Sequence, residues 1–171
     1  MTELTDEQKT EYFRRSYTAV DGLWFMKVED KLGFDEALLV DVAVWRVLPK
    51  IQARTLKGML HLQSGLKDLD QALSARLAME GFEFQIEPEK DSLAVTIRRC
   101  PWHDIMIKSG RGSLSEQVSE IICRVENSVW ASEFSGEKSG EKGDGRQIEF
   151  TREKRICQGE ERCMLRFSLP H

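Results

Sequence analysis

Residues 1–99 of this 171-residue chain contain no cysteine, and no stretch approaches the ~20 apolar residues a membrane helix needs. Basic residues are not in excess either. Each absence excludes something. A formal charge of −4 and a pI near 5.5 leave no basic face of the kind nucleic-acid binders carry. Arg98, Arg99, Lys154 and Arg155 read as solvated strand ends. Asp41 and Arg46 interrupt the most hydrophobic segment, so no membrane span is expected. The N-terminus, Met1-Thr-Glu-Leu-Thr-Asp-Glu7, is acidic and lacks the apolar core of a secretory signal, which points to the cytoplasm. There is no Gly-x-Gly-x-x-Gly, no Walker lysine motif and no nucleophile-elbow serine, so nucleotide-binding and α/β-hydrolase readings lapse.

What is present suits one globular domain over 1–171, with 40% apolar and 32% charged residues. Residues 1–80 read as a helical layer. Thr5 with Gln8 forms a capping box, and Phe13, Tyr17, Val20, Trp24 and Val28 follow at helical spacing. From Leu23 to Met26 this helix is apolar all round, which predicts burial between two layers. Gly33 fits a C-terminal cap and Asp35 the next N-cap. Ala37–Leu48 reads as a central buried helix that Pro49 ends or kinks. Gly65 breaks a further helix, and Leu66, Leu69, Leu73 and Leu77 form the next stripe.

At residue 81 the period changes from helical to alternating. Phe82, Phe84 and Ile86 mark a strand, Pro88–Asp91 a turn, and Leu93, Val95 and Ile97 a second strand ending near Cys100. Lys108–Gly112 reads as a loop. Ser113 with Glu116 reads as a capping-box start for a helix over about 114–132, carrying Leu114, Val118, Ile121, Ile122, Val125 and Val129 on one stripe. The duplicated Ser-Gly-Glu-Lys within 135–146 predicts a mobile surface loop. Ile148 with Phe150, and Cys163 with Leu165, Phe167 and Leu169, mark two more strands. The fold class is therefore α+β: N-terminal helices, then a β-β-α-β-β unit forming a mostly antiparallel four-stranded sheet.

The cysteines carry the chemistry. Cys100, Cys123, Cys157 and Cys163 gather near predicted element ends, and in a reducing compartment they read as thiols, metal ligands or a redox pair. Cys157 and Cys163 bracket a short turn and can reach one metal across a hairpin, at about 2.3 Å for zinc–sulfur. Strand parity opposes this, placing Ile156 rather than Cys157 on the apolar face. A bulge near Glu153–Arg155 would reconcile the two. Cys100 opens Cys-Pro-Trp-His103. His103 is either a further ligand or a hydrogen-bonded surface imidazole. Cys123 lies 140–150° from the main stripe of its helix, on the side of Ser119, Glu126 and Trp130, which predicts a helix covered on both faces. It is either a cavity thiol or core packing. Candidate ligands of a zinc or iron ion are thus Cys100, His103, Cys123, Cys157 and Cys163. Trp24, Glu29, Trp45, Trp102 and Trp130 are the candidate pocket residues, mixing aromatic area with charge. Glu29 and Asp41 matter if buried, where an unpaired carboxylate has a raised pKa.

Four stretches together carry a resemblance: Ala19-Val-Asp-Gly-Leu-Trp-Phe25, Cys100-Pro-Trp-His103, the helix with Cys123, and the Cys157/Cys163 segment before Leu-Arg-Phe. The chain resembles small prokaryotic proteins of the L-2-amino-thiazoline-4-carboxylic acid hydrolase family. Its C-terminal half is similar to the 4-vinyl reductase domain, whose relatives include haem–nitric-oxide-binding and Golgi-transport proteins. The resemblance implies a ligand-binding α+β fold with a cavity between helices and sheet, and it points to Cys100, Cys157 and Cys163. The expectation that follows is a cytoplasmic small-molecule-binding domain, sensory in character, with a cysteine-ligated metal; a small-molecule ligand and a second copy of the chain are its partners. Two alternatives stay open. One is a hydrolase using metal-bound water or a Cys100 thiolate activated by His103. The other is an interaction module whose thiols are core filler.

Overall fold

The computed structural model describes residues 3–136 and 146–170. Most of the expected 135–146 loop lies outside the described residues. Its flanks meet: Gly136 donates its backbone N–H to the Arg146 carbonyl at 3.2 Å, and Ser135 Oγ accepts the Ile148 N–H at 2.8 Å.

Four helices come first: α1 (Asp6–Leu32), α2 (Phe34–Trp45), α3 (Leu48–Leu60) and α4 (Leu66–Glu80). The Thr5–Gln8 capping box forms as the sequence predicts. Gly33 ends α1 and also stands at the N-cap of α2, so Asp35 falls in the first turn of α2 rather than at its cap. Pro49 sits in the first turn of α3, where its missing N–H costs nothing. Gly81 closes α4 in the left-handed conformation at φ 81°. A Cβ there would meet the guanidinium end of Arg14, which can swing aside, so the backbone conformation is what asks for glycine.

Strands β1 (Glu83–Pro88) and β2 (Ser92–Arg99) form the first hairpin, and β3 (Glu149–Lys154) and β4 (Cys163–Ser168) the second. The sheet order is β1-β2-β4-β3 with every pair antiparallel. Leu93, Val95, Ile97, Leu165 and Phe167 are buried on one face. Helices α4 and α6 (Gly112–Phe134) pack against the sheet, while α1, α2, α3 and α5 (Pro101–Lys108) pack against other helices.

Helix α6 is covered on both sides, as the position of Cys123 implied. One core cluster joins its Trp130, Ala131 and Phe134 to α4 and the sheet. A second joins its Ile122, and partly Val118, Ile121 and Val125, to Leu38, Val42 and Trp45 of α2.

Several local expectations are corrected. Helix α1 has no buried residue, and Leu23 is 57% exposed, because α1 is an outer layer resting on α2 and α4 rather than lying between two layers. Helix α2 buries only Ala37, Leu38, Asp41, Val42 and Trp45, leaving Leu39, Val40 and Val44 exposed, so it is one-sided rather than central. The helix after Gly110 begins at Gly112 without a side-chain cap, so Ser113 lies inside its first turn. Helix α5 was not expected. Pro101 at its start, following the extended Cys100, is its signature.

Candidate functional site

A cavity of about 200 Å³ lies between the two core clusters, walled by α1, α2, α5, α6 and the end of the second hairpin. All four cysteines line it, with His103, Trp45 and Trp102. A smaller recess of about 60 Å³ behind it shares Cys100, Cys123 and Cys163. Residues far apart in sequence therefore meet on one surface.

The second hairpin explains how Cys157 arrives. The β3–β4 register shifts between Arg152 and Lys154, and Ile156–Gln158 then form a 3-10 turn instead of continuing the strand. The parity conflict is removed by this bulge and turn. Ser119 Oγ donates to Cys157 Sγ at 2.8 Å, and the Ile156 N–H donates to Cys163 Sγ at 3.3 Å. Cys100 precedes α5 as its N-cap without a side-chain cap hydrogen bond, and the nearby backbone N–H groups of His103 and Trp102 favour its thiolate only partly. Desolvation outweighs that help and pushes its thiol up to about 12. Burial likewise raises Cys123 and Cys163. His103 Nδ1 hydrogen-bonds Ser115 Oγ at 2.8 Å.

The structure brings the five candidate metal ligands to one cavity, yet among the described residues no three His, Cys, Asp or Glu side chains are grouped closely enough to hold an ion. Of the candidate pocket residues, Trp45 and Trp102 form part of the wall in edge-to-face contact at 5.7 Å. Trp24 does not line the cavity. Glu29 stands outside it and pairs with Arg111 of the wall at 2.6 Å. Trp130 is fully buried in the sheet-side core, stacked on Phe134.

Three carboxylates also face this space. Asp41 is 5% exposed; burial, reinforced by the charge of Asp21, lifts it to about 7 against a hydrogen bond from Trp45. Burial alone lifts Asp21 to about 6. Glu126 is raised by burial and partly restored by Arg76, which binds both Glu126 and Glu80 in a buried triad. Sequence reasoning missed Asp21 and Arg76. The available signal was position: Asp21 lies four residues from both Tyr17 and Phe25, an acid inside an apolar stripe. The wall's cations are all held elsewhere, Arg111 by Glu29 and Arg152 by Glu120 at 2.7 Å and the Ser119 carbonyl at 3.0 Å.

Residues 5–134 match the family of unknown function DUF6125. The chain belongs to that family. The family segment ends at the last residue of α6, so it holds Asp21, Asp41, Cys100, His103 and Cys123, while the second hairpin adds Arg152, Cys157 and Cys163 beyond it. No curated protein matches the chain. Among the described residues no helix is long and apolar enough to cross a membrane.

Proposed function

We propose that this chain is a small-molecule-binding domain whose ligand occupies the cavity between α1, α2, α5 and α6. The observation that carries this reading is the unused space itself, about 200 Å³ flanked by two packed cores. The space opens partly to solvent and its walls are mostly apolar, so a ligand entering it exchanges water for contacts with those walls. An apolar cavity of about 150 Å³ holds benzene, so this one accommodates a single ring with a short substituent.

The hydrolase alternative asks Cys100 to attack as a thiolate with His103 as its base. Burial strongly disfavours the Cys100 thiol as an anion, which is what opposes the attack. Binding without turnover therefore fits better. A zinc or iron reading keeps one supporting observation, the four thiols on one cavity, and requires the wall to draw inward around the ion. Elemental analysis after anaerobic purification, compared with Cys163→Ser, tests it.

For the binding reading, benzyl alcohol serves as a neutral probe in calorimetry. Gly22 lines the cavity, and a Cβ built there meets nothing within 4 Å. Wild type binds the probe, and Gly22→Leu, which fills the space, abolishes binding while keeping the fold. Equal binding by both proteins places the probe elsewhere and rejects the reading.

A further inference from the structure

Asp21 and Asp41 differ from every other charge on the cavity wall. Glu126, Arg111 and Arg152 each have an opposite charge within ion-pair distance. No ion pair to Asp21 or Asp41 occurs among the described residues. Asp41 is 5% exposed, and the Trp45 side chain that favours its charged form brings no charge of its own. A buried carboxylate without a cation is costly, and Asp41 is one; Asp21, half-buried on the adjoining helix, adds a second negative charge, and together they make that end of the cavity complementary to positive charge.

The aromatic side chains agree with the same polarity. Trp102 is the centre of an edge-to-face cluster, 5.6 Å from Tyr17 and 5.7 Å from Trp45. Indole faces attract cations by their quadrupole, most strongly where water is excluded. The Tyr17 hydroxyl, behind the cavity wall in the field of Glu80, Glu126 and Asp21, is buried without a hydrogen-bond partner among the described residues.

We infer that the cavity selects a small organic cation, an ammonium or amidinium carried on one ring, with Asp21 and Asp41 as its counter-charges and Trp45 and Trp102 against its body. This deepens the binding reading and rests on it. Two carboxylates and an aromatic pair suit an organic cation; a bare divalent ion would need more oxygen ligands than these. The other titratable groups at this end are Tyr17 on α1, His103 on α5, and Cys123 and Glu126 on α6. Tyr17 and Cys123 are held neutral by burial, and His103 bonds Ser115. Burial raises Glu126 as well, but Arg76 already pairs it, so a cation docking between Asp21 and Asp41 acts first on those two, and replacing them separates their proton from that of Glu126.

The test is calorimetry with benzylamine, benzyl alcohol and benzoate at pH 6 and pH 8.5, in buffers of different ionisation enthalpy. Benzylamine binds at least about tenfold more tightly than benzyl alcohol, and benzoate more weakly than both. At pH 6 its binding releases about one proton, and at pH 8.5 close to none. Asp21→Asn and Asp41→Asn remove most of the preference for benzylamine over benzyl alcohol and the proton release, while each variant keeps the wild-type circular dichroism spectrum. Equal affinity for amine and alcohol overturns the inference and leaves the binding cavity standing. Proton release surviving both substitutions overturns it too, since the proton then comes from another group. Competition by equimolar Mg²⁺, Ca²⁺ or Zn²⁺ overturns it in favour of a metal. Failure of benzyl alcohol itself rejects the cavity reading beneath.

Discussion

Asp21 on α1 and Asp41 on α2 line one cavity, and the charge on Asp21 adds to the burial that raises Asp41. Two helices that contribute few buried apolar residues thus place two desolvated carboxylates together. The arrangement opposes stability while the cavity holds no cation, and that sets the first prediction.

Both aspartates have folded pKa values above the unfolded one, about 6 and about 7. Their contribution is fully present below about pH 4, where both states are protonated, and is lost as pH rises through 6 to 7. Ligand-free protein therefore loses on the order of 4 kcal/mol of unfolding free energy between pH 5 and pH 8. Asp41→Asn flattens much of that slope and raises stability at pH 8. Urea titrations across the range measure it; an unchanged slope would show Asp41 to be solvated.

Arg76 holds Glu80 and Glu126 in the buried triad beside the cavity. Arg76→Leu leaves two buried carboxylates without their cation and lowers stability by about 3–5 kcal/mol at pH 7. The triple change with Glu80→Gln and Glu126→Gln recovers a large part of the loss. Denaturant midpoints decide this, and additive losses would show that the three side chains act independently.

Much of the architecture was legible from residue pattern. Leu69, Leu73 and Leu77 recur at every fourth position and are buried, and the alternation of Phe82, Phe84 and Ile86 marks β1 with a single apolar face. Parity exposed the conflict between Cys157 and Cys163 and named a bulge near Glu153–Arg155 as one way to remove it; the register shift between Arg152 and Lys154 decides between the alternatives that parity left open. Other features were not legible for physical reasons. Periodicity defines a helix face but not whether anything covers it, and so the apolar side of α1 misled. Cys-Pro-Trp-His suggested a ligand motif, yet Pro101 opens α5 and turns His103 toward Ser115. The position of Asp21 inside an apolar stripe was visible in the sequence, but its pairing with Asp41 emerges only once α2 packs on α1.

Thiol chemistry gives a third prediction. Burial keeps Cys100 and Cys123 protonated, so at pH 8 iodoacetamide alkylates them about three orders of magnitude more slowly than in unfolded protein. Peptide mass spectrometry over time measures each site. Rapid modification of Cys100 in the folded protein would mark an activated nucleophile and revive the hydrolase reading.

Two glycines provide a test of local backbone reasoning. Gly58 lies inside α3, where an added Cβ meets nothing within 4 Å, so Gly58→Ala stabilises by about 0.5–1 kcal/mol. Gly81→Ala must hold φ 81° and displace Arg14, and destabilises by about 1–2 kcal/mol. Melting temperatures moving in opposite directions support the assigned helix boundaries.

The central claim is that a small molecule occupies the cavity, and the most direct measurement is a crystal grown with 4-bromobenzyl alcohol, located by bromine anomalous scattering. The account predicts one strong bromine peak enclosed by Trp45, Trp102 and Cys123, absent from Gly22→Leu crystals treated identically. A peak confined to the protein surface, or none in the cavity at saturating concentration, would contradict it.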